Sequence, residues 1–286
     1  MPRSDRATSI ALVLGAIVSV QSGAAAATTL FGRVGPAGAV LLRTLFAAVA
    51  LAALWRPSLR GHTRRELRLV AGLGLALACM NLSFYAALDR IPLGIAVTFE
   101  FVGPLGVAIA RSHRPADLAW VVLAAGGIAL LSPGVGGSLD ALGVAFALLA
   151  GAFWAAYILL AARVGRAFER GDGLALAMML SALVLIPGGI VGGGGELVDP
   201  TVLAVGVGVA LLSSALPYSL ELEALRRLRE GTFGVLMSLE PAIAALSGFA
   251  FLGQSLSARE LAAIALVVVA SAGALGTAQA PTPVEA

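Results

Sequence analysis

Long runs of apolar residues, separated by short polar loops, follow one another along the whole chain. A bilayer core about 30 Å thick needs roughly 20 apolar helical residues to cross it, and the runs reach about that length. They are apolar without interruption, whereas the strands of a membrane barrel alternate about every second residue. We therefore predict an all-α polytopic membrane protein with ten transmembrane helices, at 8–30, 36–55, 69–88, 92–110, 117–132, 140–161, 173–192, 201–223, 231–250 and 259–277.

The composition excludes other classes of protein. Apolar residues make up 59% of the chain and charged residues 12%, against about 25% charged residues in ordinary soluble domains. A soluble globule of this size has no way to bury so much apolar surface. A soluble enzyme, a nucleic-acid-binding domain and a disordered chain are therefore excluded, and the lipid bilayer is the expected partner. The tail at 278–286 is expected to be disordered and cytoplasmic.

The arginines predict the orientation, because cytoplasmic loops are enriched in basic residues. With the N-terminus inside, 15 of the 19 arginines fall on the cytoplasmic side and 3 on the outer side, and Arg43 lies within a span. Both termini are then cytoplasmic, in a bacterial inner membrane. The first run, with Arg3 and Arg6 before it, also resembles a cleavable signal peptide. We expect it to be retained, because the repeat described next requires it.

The chain carries a weak internal repeat at a shift of 137 residues, which aligns Ala87 with Ala224, Gly94 with Gly231 and Pro104 with Pro241. Each matched stretch joins the third span of its half to the fourth. The ten spans therefore divide into two five-helix repeats, at 8–132 and 140–277, which are antiparallel because five is odd. Inverted repeats are a common transporter architecture, with the substrate site between the halves. A duplicated structural or scaffold protein is the alternative.

Several segments resemble EamA-domain proteins of the drug/metabolite transporter superfamily. They are SSALPYSLE at 213–221, GTFGVLMSLEPA at 231–242 and FLGQSL at 251–256. FEFVGPL at 99–105 and GAFWAAYIL at 151–159 resemble the threonine/homoserine exporter subgroup. The resemblance implies ten helices in two inverted repeats and export of amino acids or related metabolites. In FLGQSL, Gln254 stands where family members commonly have Glu.

Three ionisable residues lie well inside predicted spans rather than at their ends. A charge at that depth costs about 2.5–3.5 kcal/mol on insertion scales. Glu100 lies in span four and Glu240 in span nine, the equivalent helices of the two halves, and each is followed by a proline. Arg43 lies in span two, where it is placed to pair with Glu100 or with a substrate carboxylate. Such residues usually face the bundle interior. We take all three as candidates for substrate or ion binding, with a structural Arg–Glu pair as the alternative.

Polar aromatic and amide side chains add further candidates. Trp154 and Tyr157 share a face of span six, and Asn81 and Tyr85 share a face of span three. Tyr218 lies in span eight, next to a proline. These groups are suited either to hydrogen-bond a zwitterion or to hold helices together.

The leading hypothesis is a secondary active exporter of amino-acid-like metabolites, powered by an ion gradient, with the proton as the expected coupling ion. An exporter of other metabolites or drugs is an alternative. An intramembrane enzyme acting on lipid-linked substrates would need a nucleophile, paired acids or a metal site. Cys79 is the sole cysteine, both histidines lie in loops, and no Walker-type loop is present, so we expect neither metal nor cofactor.

The topology is testable with reporter fusions. Fusions at Gly136 and Gly194 should report an outer location, and a fusion after Arg170 a cytoplasmic one, because the arginines concentrate on the cytoplasmic side. A reversed signal at any two of these positions would contradict the predicted orientation.

Overall fold

The chain is an all-helical bundle in the computed structural model. The structure describes residues 3–58, 61–110, 118–131, 139–168, 171–217, 220, 224 and 236–277. Tyr218 and the tail at 278–286 lie outside these residues. The helices are α1 (Arg3–Thr28), α2 (Phe31–Trp55), α3 (Arg64–Leu88), α4 (Leu93–Glu100), α5 (Val102–Ala110), α6 (Leu118–Leu131), α7 (Ala141–Ala167), α8 (Asp172–Gly193), α9 (Pro200–Ala210), α10 (Glu240–Leu252) and α11 (Ala258–Thr277).

Five helical segments of the described chain are long and apolar enough to cross a membrane. They are Ala7–Thr28, Phe31–Trp55, Arg64–Leu88, Ala141–Ala167 and Asp172–Val198. The prediction of a helical, polytopic membrane protein is therefore confirmed. The remaining predicted spans contain shorter apolar helices, so the full set of ten crossings stays a prediction.

Breaks in the helix ladder shorten some of these helices. The predicted fourth span is divided at Phe101 into α4 and α5. Pro104 contributes to this break, because it has no N–H to donate to the Glu100 carbonyl four residues earlier. The predicted eighth span changes from α9 into a π-helix at Leu211–Ala215. In the ninth, a turn at residues 238 and 239 precedes α10, with Pro241 in its first turn.

Side chains at the helix ends satisfy backbone N–H groups that have no partner within the helix. Thr63 and Glu66 form a reciprocal capping box at the start of α3. Asp140 accepts from Leu142 N–H and Gly143 N–H at the start of α7. Asp199 caps α9, whose first residue is a proline. These caps lie in short loops and define where the apolar helices begin.

The helices of the two sequence halves interdigitate. The most extensive contacts join α3 with α7 and α2 with α8, which come from opposite halves. Across the halves, α1 also packs against α10 and the π-helix, and α4 against α7 and α10. α6 and α11, which correspond to predicted spans five and ten, pack mainly against each other. The centre of the bundle is thus built from α1–α4 and their partners in the second half.

Glycines permit the closest of these contacts. Gly103 on α5 and Gly151 on α7 face each other, and a Cβ at Gly103 would collide with the Gly151 carbonyl oxygen. A Cβ at Gly151 would lie 2.6 Å from the Glu100 carbonyl oxygen. The break between α4 and α5 is therefore held against the backbone of α7.

Substitution at this contact should destabilise the bundle. We expect Gly103→Ala to lower the free energy of unfolding by about 1–3 kcal/mol, the typical cost of overpacking. Gly106→Ala on the same helix is the control, since a Cβ there meets nothing within 4 Å. It should leave stability unchanged or raise it by up to about 1 kcal/mol through helix propensity. Thermal or denaturant unfolding in detergent measures both, and equal stabilities would contradict the close contact.

Candidate functional site

A buried hydrogen bond joins the first helix to the second half of the chain. The side-chain amide of Gln21 on α1 donates from Nε2 to Oε1 of Glu240 at 2.9 Å. Gln21 is 2% exposed and Glu240 is 7% exposed. Glu240 is the first residue of α10. The bond therefore places a carboxylate at a helix end in the interior of the bundle, between the halves.

The second carboxylate lies at the last residue of α4. Glu100 is 8% exposed and lies where the regular hydrogen bonding of the helix is interrupted. The charges that act on it are Glu240, of the same sign, and Arg43, of the opposite sign. Glu240 and Arg43 therefore lie close enough to Glu100 for their charges to act on it, and these three residues form the charged cluster. A pairing of Arg43 with Glu100 stays a prediction.

Arg43 on α2 reaches toward two other helices. Its Cζ atom lies 5.6 Å from the centroid of the Tyr85 ring on α3, in a cation–π contact. Its Nη2 donates to the backbone carbonyl of Ser213 at 3.4 Å. Tyr85 is fully buried. A single cation therefore links α2, α3 and the π-helix at the centre of the bundle.

The π-helix at Leu211–Ala215 presents backbone carbonyls to the first half. Ser19 of α1 donates from Oγ to the Leu212 carbonyl at 2.6 Å, and Arg43 contacts the next carbonyl along. Gly23 on α1 allows this approach, because a Cβ there would collide with Oγ of Ser213. Short π-helical turns within α-helices are frequent at functional sites, and this one lies against the charged cluster.

The remaining predicted residues lie at different distances from this cluster. Asn81 is buried one turn from Tyr85, but its amide donates within its own helix, to the Leu77 carbonyl at 2.8 Å. Trp154 packs edge-on against Phe101, the residue after Glu100, with ring centroids 5.3 Å apart. Tyr157 packs in a separate apolar cluster with residues of α3. Tyr218 lies outside the described residues.

Sequence reasoning missed Gln21, Ser19 and Ser213. A signal was available for the first two. Gln21 is a side-chain amide in the middle of an apolar run, and burying such a group without a partner costs free energy. Ser213 carried no comparable signal, because its contribution to Arg43 is a backbone carbonyl.

An apolar groove of about 610 Å³ lies between α10 and α11. Its walls include Leu246 and Phe249 on α10 and Leu261 and Val268 on α11. None of its lining residues is ionisable. The groove therefore offers no counter-charge to a zwitterion, and the charged cluster remains the candidate site.

Polar contacts between the halves also occur at one end of the bundle. In the first turn of α2, Arg33 pairs with Glu196 and with Asp199, and its Nη1 donates to Asp199 Oδ1 at 3.1 Å. This guanidinium lowers the pKa of the Asp199 carboxyl to about 2. Arg90 pairs with Asp140 at 2.9 Å and lowers the pKa of that carboxyl.

A third contact at this end involves Gln254, the position at which the chain departs from the family pattern. Its Oε1 accepts from the Leu93 N–H at the start of α4, at 3.0 Å. Gln254 belongs to the second half and Leu93 to the first. The residue therefore caps a helix that leads to Glu100.

A bundle of apolar helices with charged residues of both signs in its interior is typical of a membrane transporter. Residues 141–276 match the EamA-like transporter family. The chain is 44% identical to the threonine/homoserine exporters RhtA of Salmonella typhimurium and Escherichia coli, over 92% of this chain and 90% of each relative. A solved crystal structure of a protein shares the fold, with a TM-score of 0.64, 19% identity and coverage of 93% of this chain and 96% of that one. The chain belongs to the EamA-like transporter family, in its RhtA-like subgroup, and is a transporter rather than an enzyme.

Charge balance in the cluster is testable by stability. Arg43→Met should lower the free energy of unfolding by up to about 3–5 kcal/mol, because it leaves buried carboxylates without their counter-charge. The double variant Arg43→Met/Glu100→Gln should recover much of that loss.

Thermal unfolding in detergent provides the measurement, and Arg33→Met is the matched control. Arg33 pairs at the exposed end of the bundle, where ion pairs contribute little, so this variant should melt close to the wild type. A double variant as unstable as Arg43→Met would show that Arg43 does not balance Glu100.

Proposed function

We propose that this protein is a secondary active exporter of small amino-acid-like metabolites, such as threonine and homoserine, and that a proton gradient drives it by alternating access. The observation that carries the proposal is the cluster of the buried carboxylates Glu100 and Glu240 with the half-buried Arg43, between the two halves. Relatives that match over most of the chain are threonine/homoserine exporters, which supports the substrate class.

The cluster suits a zwitterionic substrate. Arg43 provides a cation for the substrate carboxylate, and the two glutamates provide anions for the ammonium group or for a proton. Two aromatic rings adjoin the cluster: Tyr85 contacts Arg43, and Trp154 packs against Phe101, the residue after Glu100. Asn81, Tyr157 and Tyr218 remain candidates for the same site, as the sequence predicts.

We further propose that the chain forms ten transmembrane helices in two inverted repeats, 8–132 and 140–277. The pattern of helix contacts supports this arrangement. In the two repeats α1 is equivalent to α7, and α10 is equivalent to α4 and α5, so the contact of α1 with α10 matches that of α7 with α4 and α5. In the same way α3 is equivalent to the segment with the π-helix, so the contact of α3 with α7 matches that of the π-helix segment with α1. In the pairs α2–α8, α4–α10 and α6–α11, each helix contacts its own equivalent in the other repeat. A pseudo-two-fold axis relates antiparallel repeats in this way.

The proposed orientation places both termini in the cytoplasm of the bacterial inner membrane. The contacts of Arg33, Arg90 and Gln254 then lie on the outer side. Because all three join the halves, they must separate for substrate to leave outward. They support alternating access, since the same contacts can form again after the substrate has been released.

Coupling to a proton provides enough energy for useful export. One elementary charge moved across 100 mV yields about 2.3 kcal/mol, which sustains roughly a fifty-fold gradient. Glu100 is the leading candidate to carry the proton, because it is a buried carboxylate under the influence of both a like and an opposite charge.

The test is Glu100→Gln, which keeps size and hydrogen bonding but removes titration. In proteoliposomes with an imposed proton gradient, we expect the accumulation ratio of labelled threonine to fall from roughly fifty-fold toward one. Exchange of labelled for unlabelled threonine should persist in part, because binding does not require net proton movement.

Glu66→Gln is the matched control. It is the same substitution in a loop-proximal capping box, where Gln also serves at that position, so gradient-driven export should be unchanged. Near-normal, pH-dependent export by Glu100→Gln would remove Glu100 from the coupling mechanism and leave Glu240 as the next candidate. A wild-type protein that exports other metabolites but no amino acid would overturn the substrate class.

A further inference from the structure

Gln21 holds Glu240 by one atom of its amide and leaves the other atom without a partner. Nε2 donates to Glu240 Oε1 at 2.9 Å, across 219 residues of sequence. Oε1 of Gln21 is buried and accepts no hydrogen bond from the residues that the structure describes. A buried acceptor without a donor is costly and calls for an explanation.

The position of this oxygen limits what can satisfy it. Oε1 and Nε2 share one carbon atom, so the free oxygen lies beside the Glu240 carboxylate. Another carboxylate, that of Glu100, lies close enough to interact electrostatically with Glu240. Amide oxygens and ionised carboxylates are acceptors only. The group that fits among them is a small donor with positive charge, and an ammonium with three N–H bonds has both properties.

We propose that Gln21 and Glu240 together form the binding site for the ammonium group of the transported molecule. The Gln21 oxygen accepts one N–H, Glu240 accepts another, and the Gln21 N–H holds the Glu240 carboxylate in the orientation that makes this possible. The proposal rests on the proposed function as an exporter of amino-acid-like metabolites, and it assigns a recognition role to a residue of α1.

The position of Arg43 agrees with this assignment. The guanidinium contacts Tyr85 on α3 and the Ser213 carbonyl on the π-helix. A zwitterion placed between Arg43 and the Gln21–Glu240 pair would therefore meet a cation at its carboxylate and acceptors at its ammonium. Its two ends would be bound by different helices of the bundle.

The test compares two ligands that differ only in the amine. L-threonine carries the ammonium, and 3-hydroxybutyrate has hydrogen in its place without added bulk. Purified wild-type protein should bind threonine at least about tenfold more tightly than 3-hydroxybutyrate, because the analogue leaves the buried acceptors unpaired. Isothermal titration in detergent or nanodiscs measures both affinities.

Gln21→Leu should weaken threonine binding by about tenfold or more and leave 3-hydroxybutyrate binding unchanged. Gln21→Asn keeps the amide but shortens the side chain by one methylene group, so it should act in the same direction if Gln21→Leu fails to fold. Ser19→Ala is the matched control. This variant removes a different hydrogen bond between the halves, which Ser19 of the same helix donates to the Leu212 carbonyl. It should preserve the preference for threonine over 3-hydroxybutyrate.

The outcomes separate the two proposals. Equal binding of both ligands by the wild type, or an undiminished preference in Gln21→Leu and Gln21→Asn, would overturn the ammonium site and leave the exporter function standing. The ammonium site would also be overturned if Gln21→Leu and Ser19→Ala each weakened the binding of threonine and of 3-hydroxybutyrate to the same extent. That pattern indicates a general packing role for Gln21. A wild-type protein that neither binds nor exports any amino acid would overturn both proposals.

Discussion

Burial of two carboxylates among apolar helices, beside a half-buried guanidinium, is the constraint on which the rest of this structure depends. Charges are expensive in such surroundings unless they are paired or hydrogen-bonded. Glu240 is held by Gln21, Arg43 lies against Tyr85 and the Ser213 carbonyl, and Glu100 is under the influence of both charges. Each of these groups comes from a different helix, so the charges hold the halves together at the place where they would have to move.

The backbone adapts to this cluster by leaving regular helix geometry beside it. α4 ends at Glu100, α10 begins at Glu240, and a π-helix occupies Leu211–Ala215. Such interruptions free or redirect carbonyl groups, which membrane proteins tolerate where the backbone is buried in protein. Glycines at 23, 103 and 151 let neighbouring helices approach these interruptions closely. Close packing and polar chemistry are therefore concentrated in the same part of the bundle.

The contacts at one end of the bundle have a different character from the central ones. Arg33 and Arg90 form ion pairs that are substantially exposed, and exposed pairs contribute little to stability. Weak contacts are suited to repeated separation, whereas the buried cluster stays satisfied only while its partners remain in place or a ligand replaces them. A transporter that alternates between two states needs both kinds of contact.

The sequence by itself determined the class of this protein, because apolar runs of membrane-spanning length and the scarcity of charge follow from composition alone. It also singled out Glu100, Glu240 and Arg43, since an ionisable residue within an apolar run can be recognised without knowledge of the fold. Only the tertiary structure decided their partners. Gln21 meets Glu240 across 219 positions, and Arg43 meets a carbonyl across 170. The π-helix and the division of span four at Phe101 likewise depend on packing against other helices. The physical reason is that burial cost is a property of one residue and its local run, whereas the hydrogen bonds that offset that cost are made by whichever distant helix the fold brings alongside.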